Sequence, residues 1–338
     1  MVDHWEFALT NSTGDYVGIL TDKMFPVSSV LNSILDELIL EETDILSWSA
    51  NTFFPSDGSQ IFESGYYVPQ VLDESIIQTF DPQEELAIRL SGFQNRKSVS
   101  QIQYGRGKIC FGLYSQKLIR ELRERFGRVF HHYTPDYSSL SLALGCAKTG
   151  IEINKPAIIQ LNMIDSTGNN LDRNDQSAFN YLSSNSINTT GLDCLPVPNL
   201  YSALNNVILH EYLTFSQLSD SKVSIDWTNW IPKFIEDMFG QSREWSSDKL
   251  KAEQRTILRT FIQSLDDSIS EEQRREFLKA VDLDFKEIKS ASYWLLQKMK
   301  PYVPSALFTI YRTAFLGRQN IFVEKFDDLN SPGSIHWR

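Results

Sequence analysis

The chain has 338 residues, a formal net charge of -11 and a pI near 5.0, a balance that excludes a general nucleic-acid binder, which needs a basic face to displace counterions. Hydrophobic residues make up 41% and aromatic residues 12%, which excludes an intrinsically disordered chain. No apolar run approaches the ~20 residues of a membrane-spanning helix, so the sequence reads as a globular protein with one large core or two smaller ones and with the cytoplasm as its expected compartment.

The opening segment DHWEFALTNSTG reads as a helix, with Asp3 placed as its N-cap and Gly14 as the residue that ends it. Residues 16–20 (YVGIL) read as a short buried strand that ends on the charged pair Asp22 and Lys23, ahead of Pro26. Residues 27–40 are apolar at helical spacing, and residues 44–50 read as the next strand. Residues 51–103 are rich in aromatics, Gly, Ser and Pro, the composition of loops and short strands over a cleft. A strand pattern at 108–114 is followed by a helix from Ser115 to about Arg125, ended by Gly127. Pro135 and Asp136 start another helix, in which Leu140, Leu142, Ala143, Cys146 and Ala147 are expected on one side. A strand at 152–160, interrupted by Pro156, leads into an Asn/Ser-rich stretch at 165–190 that reads as a surface loop. Beyond Pro198 the pattern is helical: 200–218, 230–239, 247–265, 271–281 and 285–315.

Cys110, Cys146 and Cys194 lie far apart with no CxxC pair, so neither a zinc site nor a disulfide framework is indicated. They read as small buried hydrophobes.

Helix, glycine, GDY, buried strand, acidic tip, then helix resembles the centre of a family 2 glycosyltransferase domain of the GT-A type, over about residues 3–168. The resemblance implies an α/β fold: a partial GT-A sheet over residues 1–170, an Asn/Ser-rich linker at 171–198 and a helical C-terminal domain at 199–330. It also implies that a strand of the type VSVIIPTYN and two or three βα units, of about 30 residues each, would precede residue 1. On that expectation the chain lacks the nucleotide-binding strands. A partner chain supplying them would protect the strand at 16–20, whose apolar faces suit a covered parallel sheet and whose exposed edge would invite aggregation.

In that family the acidic tip binds the diphosphate of a nucleotide sugar through Mg²⁺ or Mn²⁺. Here the tip is Thr21-Asp22-Lys23-Met24, so Asp22 alone would serve as metal ligand and diphosphate contact. One carboxylate is a poor anchor for such a cation, and Lys23 is placed to neutralise a phosphate as a point charge. Both residues also suit an ordinary strand-to-helix turn. The family's catalytic base, a carboxylate that takes a proton from the acceptor hydroxyl, comes roughly a hundred residues later, past a strand and a helix, at the start of a further helix. Asp136, in HHYTPDYSS, meets that description, and a helix N-terminus favours a negative charge there. Pro135 and Asp136 would equally serve a helix start with no chemistry. The segment NKPAIIQLNMIDSTG, with Pro156, Ser166 and Gly168, resembles the family's strand that leads into an acceptor-side loop.

The resemblance thus implies inverting transfer of a sugar to a hydroxyl of a glycan or small acceptor. A rival from another class is a truncated, non-catalytic glycosyltransferase homologue that acts as an interaction partner. A third reading is an acyltransferase, since His131, His132 and Asp136 echo an HHxxxDG motif, although Tyr137 replaces its Gly. His210 and Glu211 form no HExxH zinc motif, because Thr214 stands where the second His belongs. The C-terminal segment from Tyr293 to Arg318 combines apolar residues with Lys298, Lys300, Arg312 and Arg318, which fits a helix broken at Pro301 and Pro304 or a peripheral membrane contact.

Overall fold

The computed structural model describes residues 2–38, 43–55, 65–68, 77–92, 105–131, 133–162, 175–185, 191–239, 245–266 and 268–282. These residues form a mixed α/β structure around a seven-stranded sheet. Two long strands make its centre, β3 (Ile45–Pro55) and β7 (Gly150–Leu161), and they run parallel. Shorter antiparallel strands flank them. β6 (Gly112–Ser115) pairs with the start of β3 and β4 (Gly65–Val68) with its end, while β5 (Ile77–Phe80) pairs with the start of β7 and β2 (Met24–Pro26) with its end. β1 (Tyr16–Val17) lies at the edge against β6.

The change of partner strands coincides with an irregularity in the central pair. Trp48 faces Ile153 and Ala50 faces Ile158, so two residues of advance on β3 match five on β7. Pro156 sits within this stretch, and a proline cannot donate to the ladder. Bulges of this kind bend a strand and sharpen its twist.

The pleat of β3 separates two environments. Leu46, Trp48 and Ala50 pack with Ile34 of α2 (Ser28–Leu38) and with Ile151, Ile153 and Ile158. Ser47, Ser49 and Asn51, all buried, alternate with them on the opposite face. That face is covered by α5 (Pro135–Cys146), after α1 (Val2–Thr10), α3 (Pro82–Leu90) and α4 (Gln116–Phe126) in chain order. Every residue of α5 from Tyr137 to Cys146 is buried, because the helix is sandwiched between sheet and outer helices. The expected one-sided stripe is therefore replaced by burial all round. The small residues make this possible: Gly145 lies under the Phe215 ring, where a Cβ would come within 2.3 Å of the ring, and Ser141 Oγ donates to the Tyr212 carbonyl at 2.7 Å.

After α6 (Asp175–Asn185) come α7 (Leu204–Tyr212), α8 (Thr214–Leu218), α9 (Trp227–Phe239), α10 (Asp248–Ser264) and α11 (Glu271–Asp282). Their apolar residues, Leu209, Trp230, Phe234, Leu258, Ile262 and Phe277 among them, belong to one cluster with Leu118, Ile119, Leu140 and Leu142 of α4 and α5. No helix among the described residues is long and apolar enough to cross a membrane.

Several local expectations change. Asp3 is inside the first turn of α1, where its carboxylate accepts a hydrogen bond from Arg128 at 2.7 Å, and the helix ends well before Gly14. Only Tyr16 and Val17 of the segment 16–20 are ladder-paired. The pattern at 108–114 divides into a 3₁₀ turn at Ile109–Phe111 and the strand β6. The stretch at 51–103 contains a helix, α3, whose start is capped by Asp81 through the amides of Gln83 and Glu84. The surface-loop stretch holds α6. The helix pattern at 285–315, and with it the C-terminal apolar segment, lies outside the described residues.

Gly112 tests the β3–β6 contact. A Cβ there would stand 1.9 Å from the Leu46 carbonyl oxygen, so backbone rather than a side chain must yield. We expect Gly112→Ala to cost about 3 kcal/mol or more, measured as a lowered urea midpoint with an unchanged slope.

Candidate active site

Strand polarity places the candidate residues. β1, β3 and β7 all point the same way, because β6 is antiparallel to both β1 and β3. α5 returns antiparallel to them, so its N-terminus lies at their carboxyl ends, the edge where open α/β sheets bind ligands. Asp136 is in the first turn of α5. The connector 18–23 also leaves from this edge, and it passes close to the site: Ile19 N donates to Ile109 O at 3.2 Å, one residue from Lys108.

Lys108 is the immediate partner of Asp136. Its Nζ stands 3.2 Å from Asp136 Oδ2 and 3.5 Å from the centre of the Tyr137 ring. The two side chains differ in access, Lys108 being 2% and Asp136 26% exposed. The ammonium is thus held from inside while the carboxylate reaches solvent. Lys108 is set by a tightly tied turn. Gly107 adopts φ +81°, a conformation that favours glycine. Its N–H donates to Ser47 Oγ at 2.8 Å, and its carbonyl accepts from Tyr114 OH at 2.6 Å.

The preceding residue, Arg106, belongs to a buried charge network. Glu85 accepts from Arg89 at 2.9 Å and from Arg106 at 3.2 Å, and Arg106 also pairs with Glu152 of β7 through its Nε at 2.9 Å. Arg89 further donates to the Arg106 carbonyl at 2.7 Å and to Tyr212 OH at 3.1 Å. Two arginines and two glutamates alternate, which is the arrangement a buried cluster of charges needs.

The entry to α5 is fixed from a distant helix. Glu211 of α7, fully buried, accepts from the amides of Tyr133 at 2.8 Å and Thr134 at 3.2 Å. Its neighbour His210 is buried beside the Tyr133 ring, with centroids 5.8 Å apart, a packing role rather than a metal ligand. His131 is likewise structural, with Nε2 3.0 Å from the Arg128 carbonyl and its own amide donating to Ser138 Oγ. His132, the second histidine of the acyltransferase reading, lies outside the described residues.

Asp22 and Lys23 occupy a turn at the start of β2, closed by Met24 N donating to Thr21 O at 3.0 Å and anchored by Leu161 N donating to Lys23 O at 2.8 Å. Asp22 is exposed, and its carboxylate makes no hydrogen bond or ion pair among the described residues. The tip adjoins the end of β7, Asp136 the turn that precedes β6, and among the described residues no hydrogen bond or ion pair joins them. Asp22 is the sole carboxylate of its turn and has an ammonium-bearing neighbour. This donor set does not by itself fit a divalent cation.

Cys110, two residues after Lys108, is buried. Burial pushes its thiol up to about 12, with the Asp136 charge adding and Lys108 opposing. Cys146 is pushed up to about 11 by burial, with Arg125 opposing. Sequence reasoning missed Lys108 and Arg106, and read Glu211 only as part of an absent zinc motif. Glu211, among the apolar residues Val207, Ile208 and Leu209 of its helix, and the Glu85/Arg89 spacing of four were the available signals; nothing in the sequence marks Lys108.

In comparisons with known proteins, the chain matches no protein-family model and no curated protein.

Two outcomes follow from this geometry. Glu211→Ala leaves the Tyr133 and Thr134 amides without their acceptor and should cost about 2–4 kcal/mol, read by urea denaturation, with Glu211→Gln costing less because both amides bond a single oxygen that it keeps. The thiols of Cys110 and Cys146 favour the neutral form in the fold relative to the ordinary value of 9.0. Their contribution is therefore fully present below about pH 9 and is lost as pH rises toward 11–12. Alkylation with iodoacetamide at pH 8.5, followed by mass spectrometry, should label Cys194 well ahead of both, and unfolding in urea should equalise the three.

Proposed function

We propose that the chain carries the acceptor-activating half of an inverting glycosyltransferase site, with Asp136 as its base. The acceptor hydroxyl oxygen attacks the anomeric carbon of a nucleotide-sugar donor. The bond from that carbon to the diphosphate oxygen breaks, the nucleoside diphosphate leaves with the electron pair, and the hydroxyl proton passes to the Asp136 carboxylate. Asp22 and Lys23 are assigned to the diphosphate side, Lys23 as the neutralising charge. The acceptor is a hydroxyl of a glycan or small molecule.

The observation that carries this reading is the state of Asp136. One carboxylate oxygen is tied to an ammonium held from the interior, while the side chain keeps access to solvent at the first turn of a helix on the carboxyl edge of the sheet. A residue serving only as a cap would bond to the amides of its own helix. Here the carboxylate bonds to Lys108, and Glu211 takes the neighbouring amides. The non-catalytic reading draws support from the tip, where a single carboxylate remains.

Calorimetric titration with UDP, GDP and dTDP, with and without Mn²⁺, separates the two. Micromolar binding that is weakened about tenfold by Lys23→Ala, together with sugar transfer abolished by Asp136→Asn at unchanged stability, is the expected result. Failure of all three nucleotides to bind the folded chain would move the assignment to the non-catalytic homologue.

A further inference from the structure

The loop that joins α4 to α5 leads directly to Asp136, and its amides are held by side chains. Val129 N and Phe130 N donate to Glu6 Oε2 of α1 at 3.0 and 3.2 Å. His131 N donates to Ser138 Oγ, which in turn donates to the His131 carbonyl at 2.8 Å. The Tyr133 and Thr134 amides go to Glu211 of α7. Each described residue from Val129 to Thr134 thus gives its amide to a side chain. A segment whose N–H groups find no main-chain acceptor takes its position from whatever supplies the acceptors. Here α1 supplies them at the start of the loop and α7 at its end.

The two ends are not held alike. Glu211 is fully buried, in a helix whose apolar residues belong to the common core. Of α1, only Val2 and Leu9 are completely buried, and the Trp5 ring stands edge-on to Phe130 at 5.4 Å. The rest of its attachment is polar. Glu6 pairs with Arg123 at 3.0 Å, the side chains being 18% and 28% exposed, and Asp3 pairs with Arg128 at 2.7 Å, at 86% and 27%. Pairs this open to solvent are weakened by salt. A helix of nine residues is also marginal by itself in water, so undocking and loss of α1 structure go together. The α7 end of the loop is permanent, and the α1 end is the one that can release.

We infer that α1 is a releasable strap on this loop, and that its docking through Glu6 decides whether the start of α5 is set for use. With α1 docked, the loop is held at both ends and Asp136 stands against Lys108. On release, the Val129 and Phe130 amides turn to water and Phe130 loses the Trp5 ring. Slack then passes through His131 and Ser138 to the first turn of α5, and Asp136 leaves the Lys108 ammonium. The consequence for chemistry rests on the transferase reading; the coupling of α1 to the loop does not.

Amide hydrogen exchange of the full chain, read residue by residue by NMR, tests the strap. Raising NaCl from about 0.05 M to about 0.5 M should speed exchange in α1 and at Val129 and Phe130 together, by about tenfold. Tyr133 and Thr134 should follow with a smaller rise, while the core residues Phe234 and Leu258 keep their rates. Glu6→Ala should reproduce the effect at low salt, with exchange about tenfold faster or more at all four loop amides. Exchange of α1 at the same rate as Leu258, whatever the salt, would mean that α1 opens only with the whole fold and would overturn the strap. Unchanged protection of Tyr133 and Thr134 while Val129 and Phe130 open would confine Glu6 to its own two amides and overturn the coupling. The salt series needs no variant, so it decides the matter even where Glu6→Ala fails to fold. Salt-linked release in a chain that binds none of UDP, GDP and dTDP would leave the strap standing while the transferase reading falls. Nucleotide binding in a chain whose α1 never opens separately would remove the strap alone.

Discussion

The alternating network of Glu85, Arg89, Arg106 and Glu152 holds this structure in register. It is the point at which α3, the turn before β6, the central strand β7 and, through Tyr212, the helix α7 meet. Each charge is removed from water, so each depends on the others, and loss of one leaves a partner buried and uncompensated at a cost of about 3–5 kcal/mol. The penalty for any other arrangement is therefore steep. That is how a few side chains fix the position of a turn in which regular secondary structure contributes little.

What this turn carries is Lys108. The Gly107 conformation, the Ser47 hydroxyl and the Tyr114 hydroxyl set its backbone, and the site begins where its ammonium meets Asp136. The carboxylate itself is positioned from the other side by Glu211, whose contacts to Tyr133 and Thr134 join α7 to the start of α5. A carboxylate so placed has little freedom to collapse onto its own helix. The same division of labour leaves the Thr134 hydroxyl without a capping bond.

Much of the framework was legible in the residues. Ser115 and Gly127 bounded α4 because a side-chain cap and a left-handed glycine are local devices, and Pro135 announced the first turn of α5. The strand at 44–50 was visible from its apolar run, although its continuation to Pro55 was hidden among aromatics. α3 could have been read from Asp81, Pro82 and the acidic first turn, but the surrounding composition of Gly, Ser and Pro argued for loop. The one-sided reading of α5 failed for a clear reason: Ser138, Ser139, Ser141 and Gly145 look polar or neutral, yet they are buried because small residues let neighbouring elements approach.

From the sequence alone came the alternation of helix and strand, the placement of Asp136 at a helix start and of Asp22 and Lys23 past a strand, and a net acidic charge. These depend on periodicity, caps and charge balance, which act over a few residues. Only the tertiary structure decided that Lys108 pairs with Asp136, that Glu211 anchors the entry to α5, and that Tyr181 of α6 donates to the Tyr133 carbonyl there. Those contacts join residues 28, 78 and 48 positions apart, and no local pattern encodes them, because they follow from which elements the common apolar core and the buried charge network bring together.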